Sequence, residues 1–402
     1  MTSSVAVLWS DDLLKYDLGG EHPMHPVRID LTMRLARSLG VLDQPNVTFV
    51  DPEPATAAQL ERVHSPRYLA AVRDAPMQPW GIGHGLGTDD NPIFWGMYEA
   101  SALVAGSTLR AAQLVWNREF DHAVNIGGGH HHAMPGSASG FCVFNDLTVA
   151  IAWLLDHGAQ RVAYVDTDVH HGDGVQAAFY DDPRVMTVSI HESPLTLWPH
   201  TGFASECGTG DASGSSINVP IPAGSTNGDW LRAFEATVPN VLRQFRPEIL
   251  ITQCGCDSHH EDPLADLSLT VDGHNAIYAR LRDLANELCD GRWVATGGGG
   301  YGLVRAVPRS WTHLLAQAIG VPIDLDTDIP QSWLDDLAAT KLPRFLGTNS
   351  GYVQPPAKMG EGASVDFTPW DGDEKDPLDR AIIKARQAFY PLVGLDPADP
   401  RD

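Results

Sequence analysis

The chain has 402 residues, of which 43% are hydrophobic and 19% charged, so it can bury the core of one large domain. Its formal net charge of −24 argues against a nucleic-acid partner, because such proteins need a basic face that displaces counterions. The charge suits a cationic partner such as a lysine-rich peptide, or simply keeps a cytoplasmic enzyme soluble.

No window approaches the roughly 20 apolar residues of a membrane-spanning helix, which argues against a membrane partner. The short apolar run at residues 5–9 lacks a basic flank and predicts a first strand instead of a signal peptide. Five scattered cysteines argue against a disulfide framework. We therefore expect a cytoplasmic protein, and its oligomeric state is open.

Apolar strand candidates alternate with helical stretches along the chain. The strand candidates are residues 5–9, 123–126, 162–169, 185–190, 248–253 and 293–296. The helical stretches, with apolar residues at three- and four-residue spacing, are 26–39, 98–116, 146–156, 230–245 and 271–288. This alternation predicts a single α/β domain with a central, mainly parallel sheet flanked by helices, and ligand sites at the carboxyl ends of its strands.

The composition changes near residue 330, where Pro, Asp and Gly become more frequent around one helical stretch at residues 378–389. We therefore expect a domain over residues 1–325, and a C-terminal extension over residues 326–402 that packs on the domain or trails from it.

Three side chains of metal-binding type lie at alternate positions around residue 168. A strand over residues 161–169 would project Asp166, Asp168 and His170 toward the same side, because strand side chains alternate. Two carboxylates and an imidazole at one point would repel or lose solvation without a cation between them. The pattern therefore predicts a divalent metal.

Asp257, just past another apolar strand, is placed to supply a third metal ligand. His259 and His260 follow it, and we expect both to lie in a solvent-exposed loop instead of binding the metal.

A glycine-rich turn precedes His131 and His132. Adjacent histidines serve one site only from an irregular loop, and such a run is also typical of a surface turn or a fortuitous chelating tract. Asp166 and Asp173 are available as carboxylate partners that would orient the imidazoles, which favours a catalytic interpretation.

Four glycines precede Tyr301 after the last predicted strand. A tyrosine hydroxyl beside a metal is a good donor to a developing oxyanion. A nucleotide-binding loop is a weaker alternative, because no Lys-Ser/Thr pair follows the glycines. Phe141 could line a channel or simply fill the core.

Five motifs in this order and spacing, at residues 129–133, 139–142, 164–174, 253–257 and 297–301, resemble the zinc-dependent histone-deacetylase family with the arginase–deacetylase fold. The resemblance covers roughly residues 5–320. Residues 87–92 and the C-terminal extension are most similar to the bacterial acetoin-utilization branch.

The resemblance implies that Asp168, His170 and Asp257 bind Zn²⁺, with Fe²⁺ as a possible replacement. It also implies a structural K⁺ or Na⁺ ion, bound by Asp166, Asp168, His170, Ser189 and Ile190.

The resemblance further implies two carboxylate–imidazole pairs, His131 with Asp166 and His132 with Asp173, and a carbonyl-polarising Tyr301. It assigns substrate binding to Asp90, Gly140, Phe141, Trp198, Leu264 and, at an internal acetate-release pocket, Arg28. Three positions depart from the family pattern and bear on channel width: His130, Trp198 and His200.

The implied activity is metal-dependent hydrolysis of N-ε-acetyl-lysine in an acetylated protein or peptide, with an acyl-CoA synthetase as the leading protein substrate. An acetylpolyamine or small-amide deacetylase is the enzymatic alternative. A non-catalytic acetyl-lysine binder is an alternative of another class. An arginase-like ureohydrolase is set aside, because it requires more bridging aspartates than these motifs provide.

Overall fold

The centre of the computed structural model, which describes residues 3–78, 80–343 and 353–402, is an eight-stranded sheet. In chain order the strands are β1 (Val5–Leu8), β2 (Val47–Val50), β3 (His122–Asn125), β4 (Val162–Asp166), β5 (Val185–Glu192), β6 (Ser216–Ile221), β7 (Ile249–Gln253) and β8 (Trp293–Thr296). Their spatial order is β2-β1-β3-β8-β7-β4-β5-β6, and all neighbouring strands are parallel. The predicted α/β fold with a mainly parallel sheet is confirmed.

Helices account for most of the remaining regular structure. They are α1 (Val27–Ser38), α2 (Ala57–Leu60), α3 (Pro66–Asp74), α4 (Met97–Trp116), α5 (Asp146–Asp156), α6 (Asp173–Phe179), α7 (Asn227–Phe245), α8 (Val271–Leu288), α9 (Val307–Ile319), α10 (Gln331–Ala339) and α11 (Pro377–Val393).

Both faces of the central strands are buried. In β4, Ala163 and Val165 belong to one apolar cluster, whereas Val162 and Tyr164 belong to a second. Because successive strand side chains point to opposite faces, the two clusters are the two layers between sheet and helices. This double burial explains why the central strands are continuous apolar runs.

One helix cap connects the fold to the histidine loop. The Asn145 side chain accepts a hydrogen bond from Thr148 N at 3.0 Å and so begins α5. The same amide donates to the carbonyl oxygens of His131 and Ala133, both at 3.1 Å. The start of α5 thereby fixes the backbone that carries both site histidines.

The C-terminal extension contacts the domain through two helices. Trp333 of α10 is fully buried and donates its indole N–H to Leu31 O at 2.9 Å, and α11 packs against α7 and β6. The division of the chain at residue 325 stays a prediction.

All five cysteines are buried and unpaired. Among the described residues, no helix combines the length and the apolar character that a membrane crossing requires.

Candidate metal centre and active site

The three predicted metal ligands lie together at the carboxyl edge of the sheet, because β4 and β7 are neighbours. His170 Nδ1 is 3.2 Å from Asp168 Oδ1 and 3.1 Å from Asp257 Oδ2. One ligating atom from each of the three residues lies within 4.8 Å of the others, and all three residues are buried.

The donor set fits a divalent cation. Burial and the neighbouring Asp168 carboxylate raise the pKa of Asp257 to about 6, which shows that two negative charges here oppose one another. An ion between the two carboxylates and the imidazole would remove that repulsion. Two carboxylates and one imidazole also leave coordination positions open, as catalytic zinc sites do.

Each carboxylate is oriented by a hydrogen bond from outside the triad. Asp168 Oδ2 accepts from Gln253 Nε2 at 2.7 Å and from Gly299 N at 2.8 Å, whereas Asp257 Oδ1 accepts from Val169 N at 2.9 Å. Sequence reasoning missed the role of Gln253. Its one signal was a polar residue closing the otherwise apolar strand β7.

The predicted strand over residues 161–169 is wrong at its end, since β4 stops at Asp166. Beyond it, Asp168 N donates to Asp166 Oδ1 at 3.1 Å and His170 N donates to Asp168 Oδ1 at 3.0 Å. These turns, and not strand alternation, aim Asp168 and His170.

The two histidines pair with the two predicted carboxylates. His131 Nδ1 donates to Asp166 Oδ2, and His132 Nδ1 donates to Asp173 Oδ1, each at 2.7 Å. The two ring centroids are 3.9 Å apart. Tyr164 also donates its hydroxyl to Asp166 Oδ2, at 2.6 Å.

The two imidazoles differ in basicity. Burial opposes protonation of His131, but the Asp166 and Asp168 carboxylates outweigh it and raise its pKa to about 9. Burial and the positive charge of His131 lower the pKa of His132 to about 4, against the opposing pull of Asp173. At neutral pH His131 is therefore charged, and His132 is neutral with Nε2 free to accept a proton.

A cavity of about 260 Å³ leads from the surface to these residues. Its apolar sides are formed by Phe141, Trp198 and Leu264. The rest of its lining consists of Asp90, His132, Gly140, His170, Leu197 and Tyr301. The Trp198 ring lies 4.6 Å from the His132 ring, and the Phe141 ring 5.6 Å from the Tyr301 ring.

Gly140 is required by the narrowness of this channel. Its φ of +51° is left-handed, and an added Cβ would lie 2.5 Å from His132 Cδ2 and 2.6 Å from Trp198 Cη2. A larger residue would therefore displace either the His132 ring or the Trp198 ring.

Tyr301 reaches the channel from the glycine turn after β8. Its backbone N–H donates to Asp262 Oδ2 at 2.8 Å, a contact that sequence reasoning missed. Burial and the Asp257 carboxylate raise the pKa of the phenol well above its ordinary value. The hydroxyl thus remains a neutral hydrogen-bond donor.

Arg28 lies behind the channel. Its Nη1 donates to Gly298 O at 2.8 Å and to Gly300 O at 3.0 Å, which holds the glycine turn, and it borders a cavity of about 20 Å³ together with Tyr16 and His130. His130 also borders a second small cavity that the metal-site residues line.

The residues predicted for a monovalent ion include neighbours on β4 and β5. Asp166 of β4 pairs in register with Ser189 of β5, and Ile190 follows, fully buried. Ser189 Oγ lies 2.8 Å from His191 Nδ1. The ion itself stays a prediction.

Two further expectations about histidines are answered by the structure. His259 does not lie in an exposed loop, because it is 1% exposed and packs beneath the C-terminal extension, whereas the His260 side chain is 43% exposed. Among the described residues, the channel lining does not include His200, whose Nδ1 lies 2.9 Å from Pro194 O.

Comparison with known proteins agrees with this geometry. The histone deacetylase domain model matches residues 22–318. The acetoin utilization protein AcuC of Bacillus subtilis is 40% identical over 332 residues, covering 81% of this chain and 84% of that protein. The AcuC protein of Staphylococcus aureus strain MSSA476 is 34% identical over 338 residues, covering 83% and 86%.

Two crystal structures share the fold. An HDAC homologue complexed with SAHA superposes with a TM-score of 0.80 at 27% identity, covering 97% of this chain and 100% of that chain. An HDAC homologue from Aquifex aeolicus gives a TM-score of 0.80 at 28% identity, covering 96% and 100%. From the matched domain, the relatives and the fold together, the chain belongs to the histone deacetylase family.

Proposed function

We propose that this deacetylase-family protein is a zinc-dependent lysine deacetylase that hydrolyses N-ε-acetyl-lysine in a protein or peptide. The observation that carries the proposal is the channel. Apolar walls formed by Phe141, Trp198 and Leu264 suit the four methylenes of a lysine side chain, and the polar groups gather where its amide would lie. Fe²⁺ could replace Zn²⁺, because an oxygen and nitrogen donor set accepts both.

Asp168, His170 and Asp257 would hold the ion, which supplies a Lewis acid that polarises the acetyl carbonyl and acidifies the attacking water. His132 Nε2 accepts a proton from that water as it adds to the carbonyl carbon. Tyr301 donates a hydrogen bond to the developing oxyanion. The carbon–nitrogen bond then breaks, the proton passes to the departing lysine nitrogen, and acetate and a free amine are released.

The charged His131 acts through the field it imposes on this chemistry. Its imidazolium lies 3.9 Å from Asp168 Oδ1 and next to the His132 ring. It lowers the proton affinity of His132 and offsets the negative charge of the buried carboxylates. We therefore assign proton transfer to His132 and electrostatic support to His131.

An acetylpolyamine is the second candidate substrate class. The net charge of −24 favours a polycation as readily as a lysine-rich peptide. The discriminating experiment measures acetate release by zinc-loaded protein from an acetyl-lysine peptide and from acetylputrescine in parallel.

Faster turnover of the peptide supports the proposal, and preference for acetylputrescine would keep the mechanism but change the substrate class. Binding of the peptide without acetate release from either compound would identify a non-catalytic acetyl-lysine binder.

For the protein substrate we propose an acetylated acyl-CoA synthetase, on the basis of the relatives named as acetoin utilization proteins. The expected result is loss of acetyl-lysine from such an enzyme on incubation with the zinc-loaded chain. An acetylated synthetase that keeps its label, while a free peptide is deacetylated, would contradict this substrate alone.

A further inference from the structure

A second cluster of polar side chains lies beside the loop that follows Asp257. His259, His260 and Glu361 bring one nitrogen or oxygen atom each within 4.8 Å of one another. The buried guanidinium of Arg309 donates Nη2–H to Glu361 Oε1. The negative charge of Glu361 is thus already balanced by an ion pair with Arg309. The cluster is therefore an ion-pair network that joins the C-terminal extension to the domain.

Within this network, Glu361 holds the buried ring of His259. His259 Nδ1 accepts the backbone N–H of Glu261 at 3.1 Å, so the ring proton is on Nε2. That Nε2–H donates to Glu361 Oε1 at 3.1 Å. Both ring nitrogens are thus satisfied, and the orientation of the ring depends on Glu361.

The backbone of His259 makes hydrogen bonds on both sides of the loop that carries Asp257 and Asp262. Its backbone N–H donates to Cys256 O at 3.3 Å, and this turn contains Asp257. Its carbonyl accepts from Asp262 N at 2.8 Å, and the Asp262 carboxylate holds the backbone N–H of Tyr301. The position of the His259 ring therefore bears on a predicted metal ligand and on the oxyanion donor.

Glu361 is itself held firmly enough to transmit this constraint. Its N–H donates to Asp272 Oδ2 at 2.8 Å, and Gly360 N donates to Leu325 O at 2.7 Å. The preceding Met359 is fully buried in an apolar cluster with residues of α1 and α10.

We propose that Glu361, from the C-terminal extension, is a positioning residue for the metal centre, acting through His259 on the loop that carries Asp257 and Asp262. The inference rests on the metal-dependent function proposed above. The C-terminal extension lies outside residues 22–318, which the domain model matches. The inference gives this extension a part in the active site.

The test measures how fast a chelator removes zinc from the purified full chain. Glu361→Ala removes the oxygen that accepts the Nε2–H of His259. Glu361→Asp moves the accepting carboxylate away from His259 by one methylene. Glu361→Gln retains a side-chain oxygen that can accept this hydrogen bond. Glu374→Ala is the matched control, because Glu374 lies in the same extension in an exposed pair with Arg380 at 3.4 Å.

We expect zinc release from Glu361→Ala to be about tenfold faster than from the wild type, since outer-shell partners change metal affinity by about 10- to 100-fold. Glu361→Gln and Glu374→Ala should stay near the wild-type rate. Circular dichroism reports folding, and Glu361→Asp serves as the test if the alanine variant does not fold.

If Glu361→Ala releases zinc at the wild-type rate, the inference is overturned and the proposed function is not affected. The same holds for Glu361→Asp where it is used in place of the alanine variant. Release from Glu374→Ala as fast as from Glu361→Ala would also overturn it, because any loss of charge in the extension would then have the same effect. A wild-type chain that binds no zinc would overturn both the inference and the proposed function. No substrate is needed, so the result is independent of which amide the enzyme hydrolyses.

Discussion

At the scale of single residues, the surroundings give two identical imidazole side chains different pKa values. His131 and His132 are adjacent and each meets a carboxylate at 2.7 Å, yet their pKa values are about 9 and about 4. The difference arises because His131 faces two carboxylates at full burial, whereas His132 faces a neighbouring positive charge. One sequence motif thus provides both a fixed charge and a proton acceptor.

Tyr301→Phe should lower kcat by about 100-fold or more, because losing one oxyanion donor typically costs that much. The substitution removes only the hydroxyl and touches none of the predicted ligands, so zinc content should not change. Acetate release and elemental analysis of the same preparation measure both effects. Tyr180→Phe, outside the channel lining, is the control. Turnover near the wild-type value would remove Tyr301 from the mechanism.

Much of the site could be predicted residue by residue, because its groups follow strand ends. Asp257 after β7 and Tyr301 after the glycine turn of β8 are examples, and their catalytic and metal-binding roles stay predictions. Gln253 and Asp262 were not identified, since each acts through a hydrogen bond to a residue distant in sequence. His259 was misplaced because Glu361, which holds its ring, lies 102 residues later in the chain.

At the scale of elements, the glycine turn after β8 is what allows β4, β7 and β8 to share one site. Gly299 donates its N–H to Asp168 Oδ2, and an added Cβ there would lie 1.9 Å from Asp257 Oδ2. The turn lies against both predicted carboxylate ligands, so there is no room for a side chain at Gly299.

Gly299→Ala should therefore weaken zinc binding by about 10-fold or more, comparable to loss of an outer-shell partner. Isothermal titration of the metal-free protein with zinc measures the change. Gly136→Ala is a suitable control, because an added Cβ there meets nothing within 4 Å. Equal zinc affinity in the two variants would show that the carboxylates can move aside.

The predicted elements were most accurate at the centre of the sheet and least accurate at its edges. The edge strands β2 and β6 were missed, because β2 is partly exposed and β6 contains Ser216, Asn218 and Pro220. Helix α9 was missed for another reason. It is buried on every side, so its polar residues, including Arg309 and His313, do not define an exposed face.

At the scale of the whole molecule, several histidines are buried in neutral form. His64 is typical: it is 1% exposed, accepts Asn145 N–H at 3.0 Å, and has its pKa lowered by burial to about 4. Burial likewise lowers the pKa of others to about 3 or about 4: His171, His191, His274 and His313. Protonation of any of these rings favours the unfolded chain.

The free energy of unfolding should therefore fall as the pH falls from 6.5 toward about 4, because the unfolded chain then binds protons that the folded chain excludes. Each such histidine contributes a slope of about 1.4 kcal/mol per pH unit within that window. Urea unfolding at several pH values measures the slope. His64→Gln, which retains a donor and an acceptor, should reduce it, and an unchanged slope would contradict the assignment of His64.

The position of β8 governs when the site can form during synthesis. Among the described residues it is the last strand in the chain, yet it pairs with β3 on one side and β7 on the other. Until it enters, the group β2-β1-β3 and the group β7-β4-β5-β6 share no strand pairing. A nascent chain that ends between β7 and β8 therefore holds two half-sheets with no pairing between them, each with an open edge of the kind that invites aggregation. The predicted metal ligands Asp168, His170 and Asp257 all follow strands of one half-sheet, so they can meet before β8 enters. The histidine pair follows β3 and Tyr301 follows β8, so the complete site forms only after the sheet has closed.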